Sequence, residues 1–136
     1  MNGKWNNCET LGGKQKEFAW TYDKSKGLII KRIITDNIKT TSFTEEEINK
    51  IMDYVSQAGK VKLANSVTKL QNKNEKEGLD KFVHKELERD ISDAQAVSQL
   101  ATIFVNEGIF GYNERKIGMI FWVENKKWEK QLIGQF

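Results

Sequence analysis

KEGLDKFVHKELERDISDAQAVSQLATIFVNEGIFGYNERKIGMIFWV, residues 76–123, is the stretch whose reading decides the fold. Leu79, Phe82, Val83 and Leu87 recur at the spacing of one helix face. After a turn over Glu88–Ile91, Ser92 and Gln95 stand in capping-box order. Ala94, Val97, Leu100, Ala101, Phe104 and Val105 then mark the buried stripe of a further helix, which Gly108 ends. Its opposite face carries Gln95, Gln99, Thr102 and Asn106, flanked by Ala96 and Ile103, and is polar, small and uncharged. Ile109–Tyr112 and Lys116–Val123 alternate as two strands around Asn113-Glu114-Arg115. The order is helix, tight turn, helix, β-hairpin.

Upstream, Phe43-Thr44-Glu45-Glu46-Glu47-Ile48 is the clearest local signal. Thr44 is the N-cap, Glu47 completes a capping box, and Phe43 with Ile48 forms a hydrophobic staple. Ile48, Ile51, Met52 and Val55 follow on one helix face, and Gly59 supplies the stop. Earlier still, EFAWTY and LIIKRII flank Asp23-Lys24-Ser25-Lys26-Gly27, a hairpin signal with Gly27 at the position that needs positive φ. Residues 1–15 read as a loosely docked arm, KVKLANSVTKL is open between strand and helix, and residues 124–136 form an amphipathic tail. Together these predict a single α+β domain over residues 1–136, with a β-hairpin at 16–35 ahead of a three-helix core and hairpin at 44–123.

In order and spacing, residues 44–123 resemble the winged helix-turn-helix family. The resemblance implies that the helix beginning near Ser92 reads a DNA major groove, that the hairpin is a phosphate-touching wing, and that dimers are common. Carried over by position, Ser92, Gln95, Ala96, Gln99 and Thr102 would face double-stranded DNA, with Arg115 and Lys116 on the wing. A Gln amide is chemically suited to bidentate bonding with adenine. One departure stands out: from Asp90 to Glu114 there is no Lys or Arg, whereas phosphate neutralisation supplies much of DNA affinity. Either Lys24, Lys26, Lys31 and Arg32 of the N-terminal hairpin make the phosphate contacts, or the architecture serves a protein partner.

Charge is distributed to match the first alternative. The net charge is +3, and residues 1–42 hold eight Lys/Arg against four Asp/Glu. With 38% hydrophobic and 30% charged residues the composition is that of a folded globular chain. No window approaches the roughly 18 apolar residues of a membrane span and no secretory core is present, so a cytoplasmic protein is expected. Cys8 and His84 are each the sole residue of their type, which excludes a Cys/His metal cluster. His84 reads as a boundary residue beside the helix stripe.

Enzyme signatures are sparse. Glu124-Asn125-Lys126 after an apolar strand is similar to the Glu-x-Lys half of a Mg²⁺-dependent nuclease site, but no second acidic ligand can be named. No Gly-rich phosphate loop or nucleophile elbow occurs. Trp20 and Trp122 fall in strands and read as core, whereas Trp5 and Trp128 are candidates for a partner surface. The expectation is a small non-enzymatic DNA-binding or regulatory protein without cofactor or metal, of phage or mobile-element type given its richness in Lys, Asn and Ile. The alternative is a protein-interaction module that binds and regulates another protein, such as a host or defence enzyme.

Overall fold

The computed structural model describes residues 5–11, 16–34, 36–62, 78–115 and 119–133. In chain order the elements are β1 (Asn6–Glu9), β2 (Glu17–Asp23), β3 (Gly27–Ile34), β4 (Asn37–Phe43), α1 (Glu45–Ala58) and β5 (Val61–Lys62). They continue as α2 (Leu79–Lys81), which runs into a π-helical turn (Phe82–Glu86), then α3 (Ile91–Ala94), α4 (Val97–Asn106), β6 (Phe110–Tyr112), β7 (Ile120–Val123) and α5 (Trp128–Ile133). The four N-terminal strands form one antiparallel sheet in the order β1-β2-β3-β4, and the later strands form a second in the order β5-β7-β6.

Local chemistry sets the first sheet. Asp23 Oδ1 accepts from the Ser25 amide at 2.8 Å and from its hydroxyl at 2.7 Å, closing the β2–β3 turn. These bonds hold the Asp23 carboxyl below the usual carboxylate range. Gly27 takes φ +91°, and a Cβ there would overlap the Phe43 carbonyl oxygen. Thr44 then caps α1: its Oγ1 accepts from the Glu47 amide at 3.2 Å, and Glu47 Oε1 accepts from the Thr44 amide at 3.0 Å. Ile48, Ile51, Met52 and Val55 are buried along the inner face of α1, which stops at Gly59 with φ +83°.

One core joins the sheets and helices. Trp20, Leu28, Ile30 and Phe43 enter it from the first sheet, Phe110 and Phe121 from the second, and Leu100, Ile103 and Phe104 from α4. Phe104 and Phe110 meet edge to face at 5.0 Å between ring centroids, and Tyr54 stacks on Phe82 at 4.4 Å. Trp128 closes the core: it is 3% exposed, donates from Nε1 to Asn49 Oδ1 at 2.8 Å and meets the edge of Tyr22.

The architecture is therefore a mixed α/β arrangement, with a four-stranded antiparallel sheet first, then helices, then a three-stranded sheet. It is not a winged helix core of three helices plus wing. Asn6–Glu9, within the segment read as an arm, is a strand paired with β2, and Asn37–Phe43 adds a fourth strand beyond the expected hairpin. The expected helix from Ser92 is broken in two. Asp90 caps α3 by accepting from the Asp93 amide at 2.7 Å, and α4 begins only at Val97. Within α4 residues 99–104 are all buried, so no side of its central turns faces solvent. A helix buried all round is a core helix, not a groove reader.

Substituting Gly27→Ala should cost roughly 2 kcal/mol or more, because it adds left-handed strain to a backbone overlap. Gly59→Ala, whose Cβ meets nothing within 4 Å, should cost about 1 kcal/mol. Urea unfolding of the two variants checks the difference.

Candidate interaction surface

Strand pairing fixes which side chains share the outer face of the first sheet. Successive residues alternate, so Leu28, Ile30 and Arg32 of β3 point to the core while Ile29, Lys31 and Ile33 point away from it. The registers Glu9↔Glu17 and Ile33↔Ile38 continue one outer rung across the four strands, and Asn7↔Ala19 and Lys31↔Thr40 form the next. These two rungs line a groove of about 580 Å³ that includes Asn7, Glu9, Glu17, Ala19, Lys31, Ile33 and Ile38. Ala19 is its small central floor. At one wall the Lys31 ammonium sits 4.1 Å from the centre of the Trp5 ring.

Ile33 and Ile38 are 72% and 68% exposed, and they are the exposed large hydrophobic residues among the described residues. A scattered surface isoleucine needs no explanation, but two in direct cross-strand register make one continuous patch.

The opposite face of the same sheet is fixed by ion pairs. Arg89 Nη1 donates to both Glu47 carboxylate oxygens at 2.8 Å, and its Nε donates to Asp93 Oδ2 at 3.1 Å. Asp93 Oδ1 accepts from Thr41 Oγ1 at 3.3 Å and lies 4.0 Å from Lys39 Nζ. Arg32 Nη2 donates to the Ser92 carbonyl at 3.1 Å and to Thr41 Oγ1 at 3.4 Å. Burial lowers the Arg32 pKa against the upward pull of Asp93 and Asp90. At Arg89 burial also works to lower the pKa, but the bonds and charge of Glu47 and Asp93 outweigh it and raise it.

These placements correct most of the residues expected to touch DNA. Ala96, Gln99 and Thr102 are buried. The Thr102 hydroxyl donates to the Ser98 carbonyl at 2.9 Å and accepts from the Leu11 amide at 3.3 Å, so the N-terminal segment lies over the would-be reading face. Asn106 Nδ2 reaches Cys8 Sγ of β1 at 3.8 Å. The Ser92 carbonyl is held by Arg32, and its capping box with Gln95 gives way to the Asp90 cap. Arg32 is itself 6% exposed, so its guanidinium is not presented to a phosphate backbone. Lys24 and Lys26 are exposed on the β2–β3 turn, Gln95 and Arg115 are exposed elsewhere in the chain, and Lys116 lies outside the described residues.

Of the tryptophans, Trp128 is core and not a partner surface, and Trp5 is half-buried beneath the Lys31 ammonium. Trp122, read as core, is half-buried on the outer side of β7, where its ring covers Gly111 and its Nε1 donates to Glu124 Oε1 at 2.8 Å. That bond engages the carboxylate of the nuclease-like triplet. Among the described residues no group of three His, Cys, Asp or Glu side chains is placed to hold a metal ion, and no helix is long and apolar enough to cross a membrane. Sequence reasoning missed Asn7, Glu9, Glu17, Ala19, Ile33 and Ile38. The available signal was NIKTTSF, a β-rich run set close behind LIIKRII.

Comparison with family models, curated proteins and solved structures finds no match.

Removing the shared cation should loosen the sheet from the helices. Arg89→Ala should cost about 2 to 4 kcal/mol, since it leaves the largely buried Glu47 carboxylate without its cation and Asp93 with only the more distant Lys39 and Arg32. Arg89→Lys should recover only part of this, because an ammonium cannot fork to Glu47 and Asp93 together. Lys50→Ala, which removes the exposed Glu46 pair, should stay within about 0.5 kcal/mol. Chemical denaturation of all three measures the order.

Proposed function

We propose that this chain is a small non-enzymatic protein-interaction module that docks on another protein, and thereby regulates it, through the outer face of its four-stranded sheet. The observation that carries the reading is the paired, solvent-facing Ile33 and Ile38 beside a groove with a polar rim. Burying such a side chain fully contributes roughly 1.5 to 3 kcal/mol, so the pair alone is enough for the apolar centre of a modest interface. Asn7, Glu9, Glu17 and Lys31 supply the surrounding polar groups.

Charge favours protein over nucleic acid here. The groove sets two carboxylates, Glu9 and Glu17, against one ammonium, Lys31. A phosphate backbone would meet net repulsion on this face, and the helix face suited by composition to base reading is covered.

Ile33→Ser/Ile38→Ser tests the reading directly. Both positions are exposed, so stability should change by no more than about 0.5 kcal/mol. A protein captured by the immobilised wild-type chain, then purified and titrated back calorimetrically, should lose at least about tenfold in affinity for the double variant. On binding it should protect Asn6–Glu9 and residues 31–38 from hydrogen exchange. Equal affinity for the double variant, or protection confined to another face, overturns the reading. So does a single-stranded oligonucleotide that binds the wild type at physiological salt and loses binding in the double variant.

A further inference from the structure

Resting on that docking face, one detail of its register narrows the chemistry of the partner. Glu9 and Glu17 are direct cross-strand partners, and both are exposed at the rim of the groove. Two like charges opposite one another destabilise an antiparallel pair, whereas an opposite charge in their midst would stabilise it. Lys31 does not fill that role: it lies on the next rung, and its ammonium is placed over Trp5. The same rung that carries the two carboxylates on β1 and β2 carries Ile33 and Ile38 on β3 and β4. With strands about 4.8 Å apart, the centre of the acidic pair and the centre of the apolar pair are two strand spacings, roughly 10 Å, apart.

We infer that the partner presents a protein segment carrying a Lys or Arg about 10 Å from a bulky aliphatic side chain, the cation seated between Glu9 and Glu17 and the aliphatic group on Ile33 and Ile38. In the free chain the carboxylate pair is a local cost. In the complex the same pair becomes a receptor for one cation, which an apolar segment without a positive charge cannot supply. Such a rim charge orients and selects a partner more than it adds raw affinity.

The distinguishing feature is that stability and binding move in opposite directions. Glu9→Gln/Glu17→Gln should raise Tm by about 1 to 4 °C, through relief of the like-charge pair, while weakening the partner. A residue held only for structure would lower both.

A random dodecapeptide phage library panned on the full immobilised chain at physiological ionic strength provides the probe. The selected peptides should share a Lys or Arg and a bulky aliphatic residue. Their affinity should fall at least about tenfold on Ile33→Ser/Ile38→Ser, and by about three- to tenfold on Glu9→Gln/Glu17→Gln. On Glu9→Lys/Glu17→Lys, the preference should pass to the same peptide with its basic residue replaced by Glu. Peptides that need the isoleucines but carry no basic residue, or that bind the Gln variant undiminished, overturn the cation inference and leave the docking face standing. Failure of any peptide to enrich, or enrichment indifferent to the Ile33→Ser/Ile38→Ser variant, overturns both.

Discussion

Glu47, Arg89 and Asp93 form the joint from which the four-stranded sheet is hung. Glu47 belongs to the first turn of α1 and already closes the Thr44 cap, so its carboxylate is positioned before Arg89 reaches it. Arg89 then bridges Glu47 and Asp93, while its guanidinium carbon lies 5.1 Å from the centre of the Phe43 ring. Asp93 passes the constraint to Thr41 and Lys39 of β4, and Arg32 of β3 completes it through Thr41 and the Ser92 carbonyl. Two strands of the sheet are thus tied to both α1 and α3 by polar bonds whose geometry is far more directional than the apolar contacts beside them.

That joint also determines the environment of α4. With the sheet held close, β1 and the two residues after it lie along the helix, and Leu11 and Cys8 meet Thr102 and Asn106. The helix is left with no free side over its central turns. Its polar residues are tolerated because each has a partner: Thr102 bonds Ser98 and Leu11, and Gln99 Oε1 accepts from Ser98 Oγ at 3.1 Å. Solvent-facing chemistry is therefore displaced from the helix to the outer side of the sheet that covers it.

How much of this could be read from the sequence depended on the range of the interaction. The α1 cap and stop rest on Thr44, Glu47 and Gly59, all within one helix, and the β2–β3 turn rests on Asp23 and Gly27; both were legible because their causes are local. β1 was not, since Asn6-Asn7-Cys8-Glu9 has no apolar alternation and owes its strand to pairing with Trp20 and Phe18. The burial of α4 was misread because Gln99 and Thr102 are polar and polarity suggests solvent. The better signal was the absence of any Lys or Arg from Asp90 to Glu114, since a helix that carries no cation on any side is suited to the interior. The groove residues were the least legible, because Glu9, Ala19 and Ile38 come together only through pairing across four strands.

The inverted polarity at the far end of β3 follows from the same constraint. Along Leu28–Ile33 the inner positions are Leu28, Ile30 and Arg32, so a cation faces inward where β3 leaves the apolar core, and Ile33 faces outward next to it. Hydrophobicity alone would favour a slip of one residue at this end, which would turn Ile33 in and Arg32 out. The slip is opposed at both ends of the strand. Leu28 and Ile30 are wholly buried, and Arg32 would give up its bonds to Thr41 and Ser92 and leave Asp93 with less countercharge. Holding the guanidinium inside is thus what holds the isoleucines outside, and the apolar face open to a partner is a consequence of the buried charge behind it.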